Sequence, residues 1–256
     1  LEVFARGHPV IPNNAGYRNI GLDAVYIPVR SPLVSESLNF AEKLGMKGLS
    51  VTVPHKESVL FYVNEQSPEV MQIGACNTVV RKNDKWYGYN TDAFGFKRAL
   101  EEFLGGVRIK HKKVAVIGAG GAAKAIVYVL KQMGTKVCIF NRTLSHAKQL
   151  AEKYDFKYCE LGASCVEQLS EYSNLIIQTT SIGMTTESPQ EIIDPIPFYN
   201  FTGNELLFDI IYKPATTPLM RRAAVSGCRV CNGYKMLEYQ AYEQFKLFTG
   251  HDYEKK

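Results

Sequence analysis

The chain has 256 residues, 46% of them hydrophobic and 21% charged, with a formal net charge of +5. That length holds one large or two ordinary domains, and the composition suits a soluble globular protein with a sizeable core. No apolar run reaches the length of a bilayer span, the start Leu1-Glu2-Val3-Phe4-Ala5-Arg6 has no signal-peptide pattern, and the lysines at Lys110, Lys112 and Lys113 lack the interleaved aromatics of a nucleic-acid surface. Six scattered cysteines read as reduced thiols of a cytoplasmic protein. The pair Cys228 and Cys231 forms a C-x-x-C, but it has neither the second pair of a zinc ribbon nor a thioredoxin-like setting. The histidines show no HExxH or other ligand spacing, so no metal is predicted.

In chain order, Ala24-Val25-Tyr26-Ile27-Pro28 is a strand candidate, residues 34–44 have helical periodicity, and residues 48–53 and 78–81 are further short strands. A helical stretch over 94–104, ended by Gly105-Gly106, reads as the connection between two α/β blocks. Residues 175–180, 206–211 and 229–231 are apolar enough for buried parallel strands, and a helix over 236–249 follows the last of them.

Between the blocks, Val114-Ala115-Val116-Ile117 reads as a strand covered on both faces, running into Gly118-Ala119-Gly120-Gly121-Ala122 and then an alanine-rich helix. Gly118 and Gly120 permit a tight turn and the close backbone approach that a pyrophosphate requires, and the helix start turns its free N–H groups toward the phosphates. The spacing is G-x-G-G-x-x-x-A rather than the strict G-x-G-x-x-G, so context must decide. The context is a βαβ unit: Gly134 closes the helix and residues 136–140 form the next strand. About 20 residues past the glycines an NAD enzyme would place a carboxylate on the ribose 2′-hydroxyl. This chain has Asn141-Arg142-Thr143, whose guanidinium and short polar groups suit a 2′-phosphate and point to NADP.

Carbonyl reduction with such a cofactor needs a group that moves a proton to the substrate oxygen. Lys56 in Val53-Pro54-His55-Lys56 and Asp92 in Asn90-Thr91-Asp92 are the candidates. On the residues alone, Lys56 equally reads as a surface lysine at a helix start, and Asp92 as the N-cap of a helix from Ala93. Thr52, Asn77 and Tyr212 stand at strand ends, where ligands gather in α/β sheets.

The succession Ser50-Val51-Thr52-Val53-Pro54-His55-Lys56, Gly74-Ala75-Cys76-Asn77-Thr78, Gly88-Tyr89-Asn90-Thr91-Asp92-Ala93-Phe94-Gly95, the glycine turn, Asn141-Arg142-Thr143, Asp209-Ile210-Ile211-Tyr212-Lys213-Pro214 and Asn232-Gly233-Tyr234-Lys235-Met236-Leu237-Glu238-Tyr239-Gln240-Ala241 resembles the shikimate dehydrogenase family over nearly the whole chain. The resemblance implies an α/β fold of two domains around a cleft. Residues 1–96 with 235–256 would form a discontinuous substrate-binding domain, and residues 97–234 a Rossmann-type NADP-binding domain. It implies NADP-dependent reduction of 3-dehydroshikimate to shikimate, in the biosynthesis of aromatic amino acids, with Lys56 and Asp92 as catalytic pair. Thr52, Asn77, Tyr212 and Gln240 would bind the substrate. Gly118, Ala119, Gly120, Gly121 and Ala122 would hold the pyrophosphate, Asn141, Arg142 and Thr143 the 2′-phosphate, with Ile210 and Gly233 beside the nicotinamide. A homodimer, or a place in a larger multi-domain polypeptide, is compatible with it.

The chain departs from the family pattern in places. Ser50 and Gln178 each stand where asparagine is usual, and His146 stands where a basic residue often helps hold the 2′-phosphate. After Gly7-His8-Pro9-Val10 the family pattern has a short H-S-x-S-P loop whose serines bind the substrate carboxylate; here Ile11-Pro12-Asn13-Asn14 follows directly, and we expect an omitted loop rather than a true deletion. Each missing hydroxyl would otherwise contribute about 1.5 to 3 kcal/mol as a bond to a charged group. Two rival functions follow: a quinate or shikimate dehydrogenase preferring NAD, and a metabolite-sensing regulator on the same fold without catalysis.

Overall fold

A computed structural model describes residues 10–29, 31–185 and 193–254, with the side chains of 10–13 left aside. The chain divides into two compact units, one of residues 1–96 with 237–256 and one of residues 97–236.

The first unit contains helices α1 (Val10–Asn19) and α2 (Val34–Lys43), strands β1 (Gly48–Ser50) and β2 (Glu65–Gln66), helix α3 (Pro68–Ile73), strands β3 (Thr78–Lys82) and β4 (Lys85–Tyr89), and the first turns of α4 (Thr91–Leu104). The strands form a sheet in the order β1-β3-β4-β2, antiparallel except where β2 pairs with β4. Val34 and Leu38 of α2 pack with Leu49, Val59, Val70, Val79 and Trp86 as its core. Short helix α3 shows local sequence at work: the Ser67 hydroxyl accepts from Val70 N–H, Pro68 opens the first turn, and Gly74, at φ +74°, ends it.

The strand expected over Ala24 to Pro28 does not form. The Tyr26 backbone is satisfied by a side chain instead: its N–H donates to Asn14 Oδ1 at 2.7 Å and its carbonyl accepts from Asn14 Nδ2 at 2.8 Å. An asparagine amide thus stands in for a neighbouring strand, and the Tyr26 ring joins Tyr17 and Phe245 in a small aromatic core. The stretch expected over 48–53 is a strand only to Ser50, because the chain turns at Thr52, whose carbonyl accepts from His55 N–H.

The second unit continues with β5 (Lys113–Ile117), α5 (Gly121–Gln132), β6 (Lys136–Asn141), α6 (Leu144–Glu152), β7 (Lys157–Glu160), α7 (Val166–Glu171), β8 (Leu175–Gln178), β9 (Leu206–Asp209), α8 (Pro218–Val225) and β10 (Arg229–Cys231). The sheet is parallel throughout, in the order β10-β9-β8-β5-β6-β7. Strand order reverses between β5 and β8, a switch point at whose carboxyl edge ligands of open α/β sheets bind. Ala115, Ile117, Phe140, Ile176 and Leu207 are wholly buried there, as strands covered on both faces require. Helix α9 (Tyr234–Thr249) begins in this unit and belongs to the first from Leu237.

Candidate active site

In the first unit, four of the predicted residues meet. Lys56 Nζ lies 2.5 Å from Asp92 Oδ2, with the two side chains 14% and 3% exposed. A lysine so covered is not the surface lysine that Lys56 alone could have been. Asp92 sits in the first turn of α4, where a carboxylate favours the helix N-terminus. The capping role falls to Asn90, whose Oδ1 accepts from Ala93 N–H. Asp92 is therefore left for Lys56.

The other Asp92 oxygen, Oδ1, accepts from Asn77 Nδ2 at 2.9 Å. Asn77 Nδ2 also reaches Thr91 Oγ1 at 3.0 Å and Gln240 Oε1 at 3.2 Å. The carbonyl side of the same amide accepts from Thr91 N–H at 2.8 Å and from the Thr78 hydroxyl at 2.9 Å. A backbone N–H can only donate, so the amide of Asn77 has one possible orientation, with nitrogen toward Asp92. Thr52 stands apart from this network among the described residues. It lines a small cavity with Ser31, Ser50 and His55.

Cys76 lies next to these groups, and burial pushes its thiol up to about 12. It therefore stays protonated, and donates to Thr78 O at 3.2 Å.

In the second unit, the predicted cofactor residues gather at the carboxyl edge of the sheet. Gly118 follows β5 at φ +110°, and its N–H donates to Phe140 O at 2.7 Å. A Cβ there would lie 2.5 Å from Thr179 Oγ1, so only glycine fits this turn. Gly120 is the N-cap of α5, and nothing lies within 4 Å of where its Cβ would be. Open space above a helix N-terminus has room and exposed N–H donors for an anion. Asn141 ends β6, its amide donating to Thr143 O, while Arg142 and Thr143 are exposed at the start of α6.

After β9, Ile210 N–H donates to Gln178 O and Ile211 N–H to Asp209 Oδ1 at 3.0 Å, with Tyr212 partly buried beyond. A Cβ on Gly233 would fall 1.8 Å from Ile210 O, and Gly233 N–H donates to Ile211 O. The segment after β9 and the backbone at Gly233 are thus pressed together. Asp209 also accepts from the Thr217 hydroxyl at 2.8 Å, and Thr217 caps α8 by accepting from Met220 N–H. Neither Asp209 nor Thr217 stood among the predicted site residues. Gln178, one of the departures, accepts from Thr180 N–H and donates to Thr180 O and Ile182 O, holding the loop after β8.

Two family models match the chain. One, described as the shikimate dehydrogenase substrate binding domain, matches residues 8–79, and one described as shikimate / quinate 5-dehydrogenase matches residues 99–210. The chain belongs to the shikimate dehydrogenase family. A shikimate dehydrogenase (NADP(+)) of Thermococcus kodakarensis is 35% identical over 251 residues, covering 96% of this chain and 89% of that protein. Among solved structures, the shikimate dehydrogenase of Aquifex aeolicus superposes with a TM-score of 0.85 at 32% identity, covering 98% of this chain and 91% of that one. That of Thermus thermophilus, solved with NADP(H) and shikimate, has a TM-score of 0.81 at 29% identity, covering 99% and 95%.

The departures keep this membership but bear on detail. Helix α1 starts at Val10, where the family pattern has its serine loop; Gly7, His8 and Pro9 lie outside the described residues. In the C-x-x-C, Cys228 donates to Glu205 Oε2 and Cys231 to Asn232 O. All six cysteines are free thiols. Among the described residues, no helix is long and apolar enough to cross a membrane.

Proposed function

We propose that the chain catalyses the reversible, NADP-dependent reduction of 3-dehydroshikimate to shikimate, with Lys56 and Asp92 as the catalytic pair. The observation that carries this reading is the buried contact between Lys56 Nζ and Asp92 Oδ2, with the Asn77 amide pinned on the opposite carboxylate oxygen. When bound, NADPH supplies the hydride that goes to the carbonyl carbon. The Lys56 ammonium gives a proton to the carbonyl oxygen, so that one hydride and one proton complete the alcohol, and in the reverse direction neutral Lys56 takes the proton back. Asp92 aims the ammonium. Asn77 and Gln240 bind the substrate hydroxyls, as do Thr52 and Tyr212, and an analogue lacking a hydroxyl leaves such groups unpaired.

The phosphates fit the cradle of residues 118–122, where the α5 N–H groups point into open space. Asn141, Arg142 and Thr143 bind the 2′-phosphate, and Ile210 with Gly233 forms the wall beside the nicotinamide.

The test is to follow NADPH and NADH oxidation with 3-dehydroshikimate, for the wild type and for Lys56→Ala. Turnover with NADPH is expected, with kcat falling roughly a hundredfold or more in the variant. Equal turnover by Lys56→Ala would remove Lys56 from the mechanism. A folded wild type that binds shikimate without turnover would be a sensor.

A further inference from the structure

We propose that Gln244, which the family motifs leave aside, is a positioning residue that holds the Asp92 carboxylate through a one-way hydrogen-bond relay. The inference rests on the reading of Lys56 and Asp92 as the proton-handling pair. The relay starts at Tyr26, whose hydroxyl donates to Ser50 Oγ at 3.0 Å. Ser50 Oγ donates to Gln244 Oε1 at 3.0 Å, and Gln244 Nε2 donates to Thr78 Oγ1 at 3.0 Å. The Thr78 hydroxyl donates to Asn77 Oδ1 at 2.9 Å, and Asn77 Nδ2 donates to Asp92 Oδ1 at 2.9 Å.

Geometry sets the direction of the relay. Gln244 Nε2 also faces the Asn77 backbone carbonyl, which can only accept, so the amide cannot turn over. Thr78 then accepts from Gln244 and gives its own proton to Asn77 Oδ1 at 2.9 Å, a closer acceptor than Thr91 Oγ1 at 3.4 Å. Ser50 has a single proton, which Gln244 Oε1 takes, so Tyr26 must be the donor at the far end. Asn77 is pinned in turn by Thr91 N–H. The chain of donors from Tyr26 thus ends on the Asp92 carboxylate, and each bond polarises the next.

Burial keeps the relay intact. Tyr26, Ser50, Thr78, Asn77, Asp92 and Gln244 are at most 4% exposed, so bulk water does not compete for these groups. The last receiver is a charged group, where a hydrogen bond is strongest. Gln244 lies four residues beyond Gln240 on α9, on the same helix face. One helix thus carries a glutamine that bonds the Asn77 side-chain amide directly and a second that reaches that amide through Thr78. Ser50 supplies the hydroxyl that joins the Tyr26 phenol to the Gln244 amide.

The test compares Thr78→Val, Thr78→Ser, Gln244→Leu, Tyr26→Phe and the Thr78→Val/Gln244→Leu double variant. Steady-state kinetics with NADPH and 3-dehydroshikimate is run beside NMR of the Asn77 side-chain amide. Thr78→Val and Gln244→Leu are expected to lower kcat roughly five- to tenfold and displace its pH profile, with KM for NADPH unchanged. Thr78→Ser should restore both, and the double variant should be no worse than Thr78→Val, because both cut one relay. Losses that multiply in the double variant, or a wild-type pH profile in the folded single variants, overturn the proposal. Should the valine or leucine variants fail to fold, Tyr26→Phe removes only the distant hydroxyl and is expected to shift the Asn77 amide resonance; an unmoved resonance overturns the relay. If the wild type turns over no 3-dehydroshikimate, the proposed function falls, while the resonance shifts still decide the relay.

Discussion

The two units build their candidate sites from opposite materials. Around Lys56 and Asp92 the chemistry is held by side chains: two amides and a set of hydroxyls, each oriented by the next. At the carboxyl edge of the parallel sheet the site is made of backbone, with Gly118 at positive φ, an open helix N-terminus at Gly120 and Gly233 packed on the Ile210 carbonyl. A side-chain site tolerates isosteric substitution in its fold but not in its chemistry. A backbone site does the reverse, since adding one methyl group displaces the chain itself.

The most severe test of that contrast is Gly233→Ala. The new Cβ would meet a backbone oxygen at 1.8 Å, which no side-chain rotation relieves, so a loss of about 3 kcal/mol is expected. Thermal unfolding measures it, and an unchanged midpoint would show that this wall yields.

Asp209 is the exception to the rule, a buried side chain inside the backbone site. Burial pushes its carboxyl up to about 6, against the bonds from Ile211 N–H and the Thr217 hydroxyl that pull it down. In the unfolded chain an aspartate titrates at about 3.9, so the folded state holds the proton more tightly. Its contribution is fully present below about pH 4 and is lost as pH rises through about 6, amounting to roughly 2–3 kcal/mol. Urea unfolding between those pH values should show wild-type stability falling relative to Asp209→Asn. Parallel curves would mean that Asp209 titrates as it does in the unfolded chain.

The smallest effect belongs to Arg142, exposed at the end of β6. Arg142→Ala is expected to raise KM for NADPH roughly tenfold with kcat unaltered, and to leave KM for NADH unchanged. An equal rise for both cofactors would reject contact with a 2′-phosphate.

Much of the backbone site was legible in the sequence. The run from Val114 through the glycines to residue 125 states strand, turn and helix within a dozen neighbours, because glycine conformational freedom and apolar periodicity are local properties. The side-chain site was legible only in part. Lys56, Asp92, Asn77 and Gln240 stand in recognisable motifs, but Asn90 and not Asp92 caps α4, and nothing near Ser50 announces a partner 194 residues away. The four-residue spacing of Gln240 and Gln244 was the available signal. The failed strand at Ala24 to Pro28 has the same origin, since the partner of the Tyr26 backbone is the side chain of Asn14.

By itself the sequence determined which segments could be buried strands, where the chain must turn through glycine, and which ionisable residues lay at strand ends. Those outcomes follow from backbone sterics and from the period of apolar residues, which act over a few positions. Only the tertiary structure decided that the parallel strands take the order β10-β9-β8-β5-β6-β7, that Lys56 spends its charge on Asp92, and that both buried amides have a single orientation. A hydrogen bond inside a protein is chosen by what lies within about 3 Å of the donor, whatever its distance along the chain.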